Sequence, residues 1–247
     1  MKLNTLYRGD CLEIMKQIPD ESIDAIITDP PYWTTACKWD SVIPFEPMWK
    51  ELKRIIKPNG AIVLFGSEPF SSALRMSNIK MYKYDWIWNK KLAWNGILAK
   101  IQPLKIHEII TVFSPWKVNY YPQKTKGRYR KKMWLKESEI TGWDSFAEIT
   151  ENDEYYPISI QEYTLANLRR WRLHPTQKPV ELLEYLIKTY TNEWETVLDF
   201  TAGSGTTWVA CVNTNRKYIL IEKDEWYCDI IEKRLSPLKT FLEKSSE

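Results

Sequence analysis

Short apolar runs alternate with amphipathic stretches along most of the chain, and this alternation constrains the fold more than any other feature. The apolar runs are nearly continuous, as in strands that are covered on both faces of a mostly parallel sheet. The sequence therefore predicts an α/β fold. The predicted strands cover residues 23–29, 61–66, 84–88, 109–113, 196–200 and 218–222.

Helices are predicted between these strands, where apolar residues recur every three or four positions. In the last helical stretch Tyr227, Ile230, Ile231 and Leu235 fall on one face. Residues 57–60, Lys-Pro-Asn-Gly, predict a turn between the second helix and the strand that begins at residue 61. The predicted helices cover residues 11–17, 47–56, 180–190, 206–213 and 225–235.

Composition narrows the classes of protein. The 247 residues suffice for one large domain or two small ones, and 44% hydrophobic with 27% charged residues is ordinary for a soluble globular protein. No apolar run approaches the roughly 20 residues of a membrane span, and no signal-peptide pattern opens the chain, so we expect no membrane partner. The four cysteines are scattered without a Cys-x-x-Cys pair. This predicts no metal site, no disulfide framework and a cytoplasmic location.

The alternation stops between residues 115 and 170, and we interpret this segment as an insertion into the α/β domain. Its first part, residues 115–136, has eight lysines and arginines, five aromatic residues and no acidic residue. An acidic stretch and then Arg169, Arg170 and Arg172 follow. Because the net charge is only +3, an argument for a polyanionic partner depends on this local distribution. The segment is either a solvated charged loop or a nucleic-acid contact.

A glycine-containing sequence at residues 197–207, Val-Leu-Asp-Phe-Thr-Ala-Gly-Ser-Gly-Thr-Thr, predicts a strand, a turn and a helix start. Backbone N–H groups in such a turn can approach a polar ligand closely. Glu222 ends the next strand at a spacing that suits a carboxylate binding ribose hydroxyls. The dinucleotide fingerprint needs a third glycine where this chain has Trp208, so a nucleoside cofactor without a pyrophosphate is favoured over NAD. A tight turn beside a charged strand end is the alternative.

The predicted strand 23–29 ends in Asp29-Pro30-Pro31-Tyr32, because two successive prolines must terminate it. A carboxylate at the carboxyl end of such a strand faces a ligand crevice. Asp29 and the Pro30 carbonyl could accept the two N–H bonds of an aromatic amino group, and Tyr32 could stack on the base. The motif alone is equally compatible with a stiff turn capped by the aspartate.

Together, Asp29-Pro30-Pro31-Tyr32 and the downstream Gly203-Ser204-Gly205-Thr206-Thr207 resemble the motifs of S-adenosylmethionine-dependent amino-DNA methyltransferases. The catalytic motif precedes the cofactor motif, as in the permuted β class of that family. The resemblance implies a Rossmann-like methyltransferase fold, circularly permuted, with an inserted target-recognition region. It divides the chain into a catalytic half (residues 1–114), the target-recognition insertion (115–170) and a cofactor-binding half (171–247).

Further segments place the family's residue roles on this chain. Gly9-Asp10-Cys11-Leu12 resembles the element that contacts the cofactor's adenine, and residues 174–179, His-Pro-Thr-Gln-Lys-Pro, resemble the segment beside its methionine moiety. The implied catalytic residues are Asp29, Pro30, Pro31 and Tyr32. The implied residues for S-adenosyl-L-methionine are Asp10, Cys11, Leu12, Thr176, Lys178, Asp199, Phe200, Thr201, Ala202, Gly203, Ser204, Gly205, Thr206, Thr207 and Glu222. The implied DNA-binding residues are Lys124, Lys126, Arg128, Arg130, Lys131, Lys132, Arg169, Arg170 and Arg172.

The reaction implied by the resemblance is direct methyl transfer to a base that is flipped out of the duplex. Within the family an aspartate at the first position of the catalytic motif accompanies adenine-N6, so we expect DNA adenine-N6 methylation. Cytosine-N4 methylation, RNA adenine methylation and an inactive DNA-binding relative are the alternatives. The implied partners are double-stranded DNA, a second copy of the chain in a homodimer and a cognate restriction endonuclease, in a bacterial or phage-encoded setting. Trp33 and Trp208 stand where relatives often have glycine.

Overall fold

The computed structural model describes residues 1–32, 42–93, 95–135, 147–164 and 177–244. The chain divides into two compact units. The first consists of Met1–Tyr121 together with Ser159–Glu247, and the second is Pro122–Ile158. The second unit lies within residues 115–170, the segment that the sequence marks as an insertion. Its role in target recognition stays a prediction.

The first unit is built on a mixed sheet. The strands of the chain are β1 (Thr5–Arg8), β2 (Ile23–Thr28), β3 (Ile56–Gly66), β4 (Tyr82–Asn89), β5 (His107–Phe113), β6 (Thr125–Leu135), β7 (Ala147–Tyr155), β8 (Ile160–Glu162), β9 (Thr196–Asp199) and β10 (Lys217–Glu222). Eight of them form the sheet, in the order β1-β10-β9-β2-β3-β5-β4-β8. Five neighbouring strands run parallel to one another: β1, β10, β9, β2 and β3. β5 is antiparallel to both of its neighbours, β3 and β4. The predicted α/β fold with a mostly parallel sheet is confirmed.

Helices connect the strands and cover the sheet. They are α1 (Cys11–Met15), α2 (Phe45–Ile55), α3 (Phe70–Ser77), α4 (Val180–Tyr190), α5 (Thr206–Asn213) and α6 (Glu225–Lys244). The bounds of α4 and α5 agree with the sequence prediction. α3 was not predicted, and α6 continues to Lys244 instead of ending at residue 235.

The predicted turn at residues 57–60 is part of a strand, so the prediction that the strand begins at residue 61 was wrong. β3 begins at Ile56, which pairs with Ile23 of β2. The next pair is Ala25 with Ala61, so the register between the two strands shifts between these pairs. The Lys-Pro-Asn-Gly sequence therefore forms a bulge within the strand. Lys57 Nζ lies 2.6 Å from Asp24 Oδ1 and ties this bulge to the start of β2.

Buried side chains cover both faces of the sheet, as the uninterrupted apolar strands predict. Ile27 packs in one cluster with residues of α4 and α5, while its neighbour Ile26 packs in another with residues of α2. Trp208 is 3% exposed and belongs to the first cluster. The indole thus fills core volume at the position where the dinucleotide fingerprint would need glycine. Within the described ranges no helix is long and apolar enough to span a membrane.

The second unit contains an antiparallel hairpin of β6 and β7. Between Pro122 and Ile158 the sequence has seven basic and seven acidic residues, with the basic ones first. The hairpin places these two stretches opposite each other, and Lys131 Nζ lies 2.7 Å from Glu151 Oε1. The basic stretch is therefore partly neutralised by the strand that follows it.

Candidate active site

A cavity of about 560 Å³ opens at the carboxyl ends of β2, β9 and β10. Parallel strands present side chains to ligands at this edge, and the volume is in the range of small-molecule and cofactor sites. Most of the predicted site residues meet here, although they come from opposite ends of the chain. Those that line the cavity are Asp10, Cys11, Leu12, Asp29, Pro30, Pro31, Tyr32, Lys178, Asp199, Phe200, Thr201, Ala202, Gly203, Ser204, Thr206, Thr207 and Glu222.

Two glycines shape the loop between β9 and α5. Gly203 and Gly205 have φ values of 53° and 76°, in the left-handed region that side chains with a Cβ disfavour. Gly205 is the N-cap of α5, and a Cβ on it would lie 3.0 Å from Ile231 Cγ1. Gly205 does not line the cavity. The turn itself requires this glycine.

Glu222 holds the glycine loop from the end of β10. Its Oε2 accepts a hydrogen bond from Gly203 N at 2.7 Å, and its Oε1 accepts from the N–H groups of Lys223 and Asp224, each at 2.9 Å. Burial raises the pKa of this carboxyl, and the backbone hydrogen bonds offset part of that rise. A carboxylate has about four lone-pair sites. Glu222 can therefore accept one further donor from a ligand in the cavity.

Asp199 joins the two strand tips. Its Oδ1 accepts hydrogen bonds from Thr28 Oγ1 at 2.5 Å and from Thr201 N at 3.2 Å, and its Oδ2 accepts from Thr207 Oγ1 at 2.5 Å. Thr201 Oγ1 in turn donates to the carbonyl of Asp29 at 3.1 Å. The Asp199 carboxylate thus connects the ends of β2 and β9 with the start of α5.

The segment after β1 forms a further part of the wall. Asp10 is the N-cap of α1, and its Oδ1 accepts from Leu12 N at 2.9 Å. Gly9 N donates to the carbonyl of Glu222 at 2.8 Å, which fixes this segment beside the end of β10. Burial raises the pKa of Cys11 to about 12, so its thiol stays neutral at physiological pH and contributes surface rather than charge.

Asp29 directly follows β2 and lies on the cavity wall. Its Oδ2 accepts a hydrogen bond from Lys178 Nζ at 2.5 Å. Its Oδ1 is buried and has no hydrogen-bond partner among the described residues. Leaving a buried carboxylate oxygen unsatisfied is costly, so such an atom at a cavity marks a place for a ligand donor. Burial raises the pKa of Asp29 to about 6, although Lys178 acts in the opposite direction.

Lys178 connects Asp29 to a second buried acid. Its side chain is 6% exposed, and its Nζ lies 3.3 Å from Glu108 Oε2. Lys90 pairs with the other oxygen of Glu108. Burial lowers the pKa of Lys178, but Asp29 and Glu108 outweigh it and the net shift is upward. Burial raises the pKa of Glu108, but the two lysines outweigh this effect and the net shift of the pKa is downward. Four charges of alternating sign therefore extend inward from the cavity wall.

Aromatic side chains surround the Asp29 end of the site. The ring of Tyr32 lies 5.4 Å from that of Phe70, which begins α3, and Phe45 lies 5.8 Å from Phe70. On the other side the Lys178 ammonium is 5.1 Å from the ring of Phe65. Rings of this kind provide apolar faces on which a planar base can rest.

Several residues of the site were not found from the sequence. Glu108 lies in β5, where no sequence motif marks its side chain. Ile43, Phe65 and Tyr227 line the cavity from elements whose apolar residues look like ordinary core positions. The apolar pattern predicts Thr28 only as part of a buried strand. The predicted residues Thr176, Arg169, Arg170 and Arg172 lie outside the described residues, as does Trp33.

The other predicted DNA-binding residues lie in the second unit. Lys131 is paired with Glu151, Lys124 Nζ is 3.4 Å from Glu154 Oε2, and the Arg130 guanidinium lies 5.3 Å from the ring of Tyr155. Lys126 and Arg128 are exposed and form no ion pair within the described part of the chain. Lys132 lies in β6. Contact of these residues with DNA stays a prediction.

The sheet, the glycine loop and the cavity at the strand tips define a class of protein that comparison with known families identifies. The chain belongs to the DNA methylase family, whose model matches residues 23–233. The family expected from the two motifs is thereby confirmed.

Individual relatives agree with this assignment. Type II methyltransferase M.HinfI of Haemophilus influenzae is 31% identical, over 96% of this chain and 69% of its own length. Type II methyltransferase M.BamHI of Bacillus amyloliquefaciens is 28% identical over 94% of this chain, which spans only 57% of that relative.

Solved structures share the fold. The M1.HpyAVI–SAM complex has a TM-score of 0.64 and 25% identity, covering 94% of this chain and 99% of that one. The PvuII DNA methyltransferase, described as cytosine-N4-specific, has a TM-score of 0.64 at 17% identity and covers 96% of this chain and 94% of its own. The Rossmann-like methyltransferase fold is therefore confirmed.

Proposed function

We propose that this protein transfers a methyl group from S-adenosylmethionine to the exocyclic N6 of adenine in double-stranded DNA. The observation that carries the proposal is that Asp29 lines the cavity and that its buried Oδ1 has no hydrogen-bond partner among the described residues. A carboxylate oxygen in that position is matched by the N–H of an amino group.

The cofactor is S-adenosylmethionine, the ligand with which the related M1.HpyAVI was crystallised. The residues present fit it: the glycine loop admits close approach of a ligand to the backbone, and Glu222 and Asp10 end the two neighbouring segments with carboxylates. Glu222 would accept hydrogen bonds from the ribose hydroxyls, and Asp10 would contact the adenine. When bound, S-adenosylmethionine supplies a methyl group whose bond to a positively charged sulfur breaks as the amino nitrogen attacks.

The chain's own residues prepare the amino nitrogen. An aromatic amino group is a poor nucleophile because its lone pair is delocalised into the ring. Asp29 Oδ1 and the Pro30 carbonyl accept its two N–H bonds, which orients the lone pair towards the cofactor side and stabilises the positive charge that develops on nitrogen. The released proton passes to water, so no strong base is required.

Tyr32 completes the base side of the site. Its ring, supported by Phe70, stacks on the face of a base that has been rotated out of the duplex. Extruding the base costs about a few kcal/mol of lost stacking and pairing. Stacking on an aromatic ring recovers about 1–3 kcal/mol of this cost.

The choice of adenine-N6 depends on the aspartate at position 29. In the family that this motif resembles, aspartate at the first position accompanies adenine, and serine accompanies cytosine-N4. Both substrates present an aromatic amino group to the same pair of acceptors, so the geometry of the acceptors is neutral between them. The cognate restriction endonuclease and the homodimer are further proposals that follow from the same resemblance.

The deciding experiment identifies the modified base directly. The protein is expressed in a strain that lacks DNA methylation, and its DNA is sequenced by a method that reports modified bases. We expect N6-methyladenine within one short recurrent sequence. The Asp29→Ala variant serves as the control and should leave the DNA unmodified.

Other outcomes identify the alternatives. N4-methylcytosine would replace adenine-N6 with cytosine-N4 as the reaction. Labelled methyl transfer to RNA but not to unmethylated DNA would assign an RNA substrate. DNA binding without any methyl transfer would make the chain an inactive relative.

A further inference from the structure

The sequence assigns Lys178 to the cofactor, but in the structure its side chain contacts Asp29. The sequence places it in the segment that resembles the family's element beside the methionine moiety. Its Nζ, however, lies 2.5 Å from Asp29 Oδ2 and 3.3 Å from Glu108 Oε2. The two acids account for the charge of this ammonium, which is nearly inaccessible to solvent at 6% exposure.

Lys178 contacts only one of the two carboxylate oxygens of Asp29. Lys178 occupies one oxygen of Asp29 and leaves the other, Oδ1, without a partner among the described residues. Without this anchor the carboxylate could rotate about its Cβ–Cγ bond, and neither oxygen would be held in one fixed direction. Lys178 Nζ also lies 3.3 Å from Glu108 Oε2, and the other oxygen of Glu108 pairs with Lys90.

We propose that Lys178 is a positioning residue for methyl transfer: it holds Asp29 by Oδ2 so that Oδ1 meets the amino group, and Glu108 with Lys90 holds Lys178 in place. This inference rests on the proposed function, because it assigns a role within the same site. It also assigns Lys178 to the base side of the reaction rather than to cofactor affinity.

The charges around Asp29 determine how the proposal is tested. Lys178 favours the ionised carboxylate, whereas Glu108 and Asp199 disfavour it. A charge within about 4–6 Å shifts a carboxyl pKa by about 1–3 units. Removing Lys178 and removing Glu108 must therefore move the titration of Asp29 in opposite directions.

The measurement is a carbon-13 NMR titration of aspartate carboxyl groups in the free protein, with the Asp29 resonance identified by its loss in Asp29→Asn. In Lys178→Met we expect the midpoint of Asp29 to rise by about 1 unit or more, and in Glu108→Gln to fall. Lys178→Arg keeps the positive charge, so the Asp29 midpoint in this variant should stay close to that of the wild type. The acidic limb of the methyl-transfer pH profile should move with the midpoint in each variant.

Lys57→Met is the matched control. Lys57 pairs with buried Asp24 at 2.6 Å, at the opposite end of the same strand β2. The Lys57→Met variant removes a lysine that pairs with a buried aspartate, but it leaves the candidate active site intact. The midpoint of the Asp29 titration should therefore not change. If Lys178→Met does not fold, the Asp29 midpoints of Lys178→Arg and Glu108→Gln are measured instead.

An unchanged Asp29 midpoint in Lys178→Met, together with lost affinity for S-adenosylmethionine in calorimetry, would overturn the proposal and assign Lys178 to the cofactor. Because the NMR titration requires no substrate, it remains decisive even if the wild-type protein methylates nothing. Failure of the proposed function and failure of this inference are thus distinguishable.

A second, independent observation concerns the loop of residues 90–106 between β4 and β5. Gly66 at the end of β3 pairs with Ile109, and Asn89 pairs with His107, so the loop leaves the sheet at the edge where Asp29 lies. Lys105 Nζ donates to Ser67 Oγ, just beyond β3. The loop therefore lies at the same end of the sheet as the candidate active site.

The tip of this loop is apolar and exposed. Ile97 is 98% exposed and Ile101 is 80% exposed, and the loop has four lysines and no acidic residue. Lys90 and Lys91 are paired with acids elsewhere, but Lys100 is exposed at the tip between the two isoleucines. An apolar wedge beside a positive charge is the arrangement by which proteins enter a base stack and contact phosphate.

We infer that this loop contacts duplex DNA, with Ile97 and Ile101 against the bases next to the extruded one and Lys100 at the backbone. The test compares Ile97→Ser/Ile101→Ser with Ile79→Ser. Ile79 is 54% exposed and lies before β4, at the opposite edge of the sheet, so it controls for loss of exposed apolar surface. The probe is an unmethylated, fluorescein-labelled duplex of mixed sequence, and its dissociation constant is measured by anisotropy.

We expect the double variant to bind about tenfold more weakly, since each isoleucine loses its burial against the bases, and Ile79→Ser to bind as the wild type does. Equal affinity of all three proteins would overturn the inference. So would a loss of dimer in sedimentation velocity with DNA affinity unchanged, because the tip would then be an interface between copies of the chain.

Discussion

Glu222 Oε2 accepts a hydrogen bond from the backbone N–H of Gly203 at 2.7 Å. One carboxylate thus fixes the glycine loop and is also the acid proposed to meet the ribose. Glu222→Ala should weaken the binding of S-adenosylmethionine about tenfold to a hundredfold, the effect of losing a hydrogen bond to a charged group. Calorimetric titration with the cofactor alone measures this. Glu232→Ala, on the exposed side of α6 where Glu232 pairs with Arg8, should leave the affinity unchanged; an equal loss in that control would contradict the assignment.

Asp29→Ala should abolish methyl transfer while cofactor binding persists. The carboxylate acts on the amino group, and removal of one preorganised charge-stabilising group typically lowers the rate about 10²–10³-fold or more. Labelled methyl transfer to unmethylated DNA and calorimetry with S-adenosylmethionine are measured on the same preparation. If affinity for the cofactor disappears in parallel with activity, Asp29 has a different role.

The pKa of Asp29 predicts an acidic limit to activity. Burial raises this pKa to about 6, so the carboxyl group is ionised above pH 6 and becomes protonated as the pH falls through that value. A neutral carboxyl is a weaker acceptor, and the rate of methyl transfer should therefore fall below about pH 6. The rate is followed between pH 5 and 8 with circular dichroism as the control for folding. An acidic limb near pH 4, the range of an ordinary aspartate, would contradict this prediction.

Trp208 is expected to stabilise the fold, not to bind a ligand. It is 3% exposed in the cluster between the sheet and the helices α4 and α5. Trp208→Ala should lower the free energy of unfolding by about 3–5 kcal/mol, measured in urea. Trp226, which is 62% exposed, supplies the comparison, and Trp226→Ala should change stability by at most about 0.5 kcal/mol. Similar losses in both variants would show that core packing is not the cause.

Salt dependence should separate the basic residues of the hairpin. Each phosphate contact contributes about 0.9 to the slope of log affinity against log salt concentration. Lys126→Ala/Arg128→Ala should reduce that slope by more than Lys131→Ala, since Lys131 is already paired with Glu151. Anisotropy at several salt concentrations measures the slopes. A wild-type affinity that does not change with salt would remove the hairpin from the DNA contact.

The parts of the fold that could be predicted are those in which local pattern and tertiary environment agree. α4 has an apolar face, and the start of α5 is marked by the preceding glycine turn; both were predicted with their observed bounds. β1 was missed because it is a short, half-buried strand at the edge of the sheet, whose only observed sheet partner is β10. The bulge at residues 57–60 was read as a turn because Pro and Gly have the same local preference in both, and only the pairing with β2 decides between them.

The two motifs located the walls of the site, but not the contacts behind them. Asp29 and Lys178 are 149 residues apart, and no local signal indicates that the two side chains meet. Glu108 has an unremarkable position in a strand, and its part in the charge network arises only because β5 pairs beside β3. The opposing charges of the hairpin, in contrast, were visible as two stretches in the sequence, but their register was not.

The hydrogen bonds of Asp199 have a consequence for the way such a chain can be ordered. Thr28 and Asp199 meet through side chains and through the parallel pairing of β2 with β9, with no direct chain connection between the two tips. The contact between the two tips therefore does not depend on the order in which they occur along the chain. We expect the same contact to be compatible with either order of the two motifs.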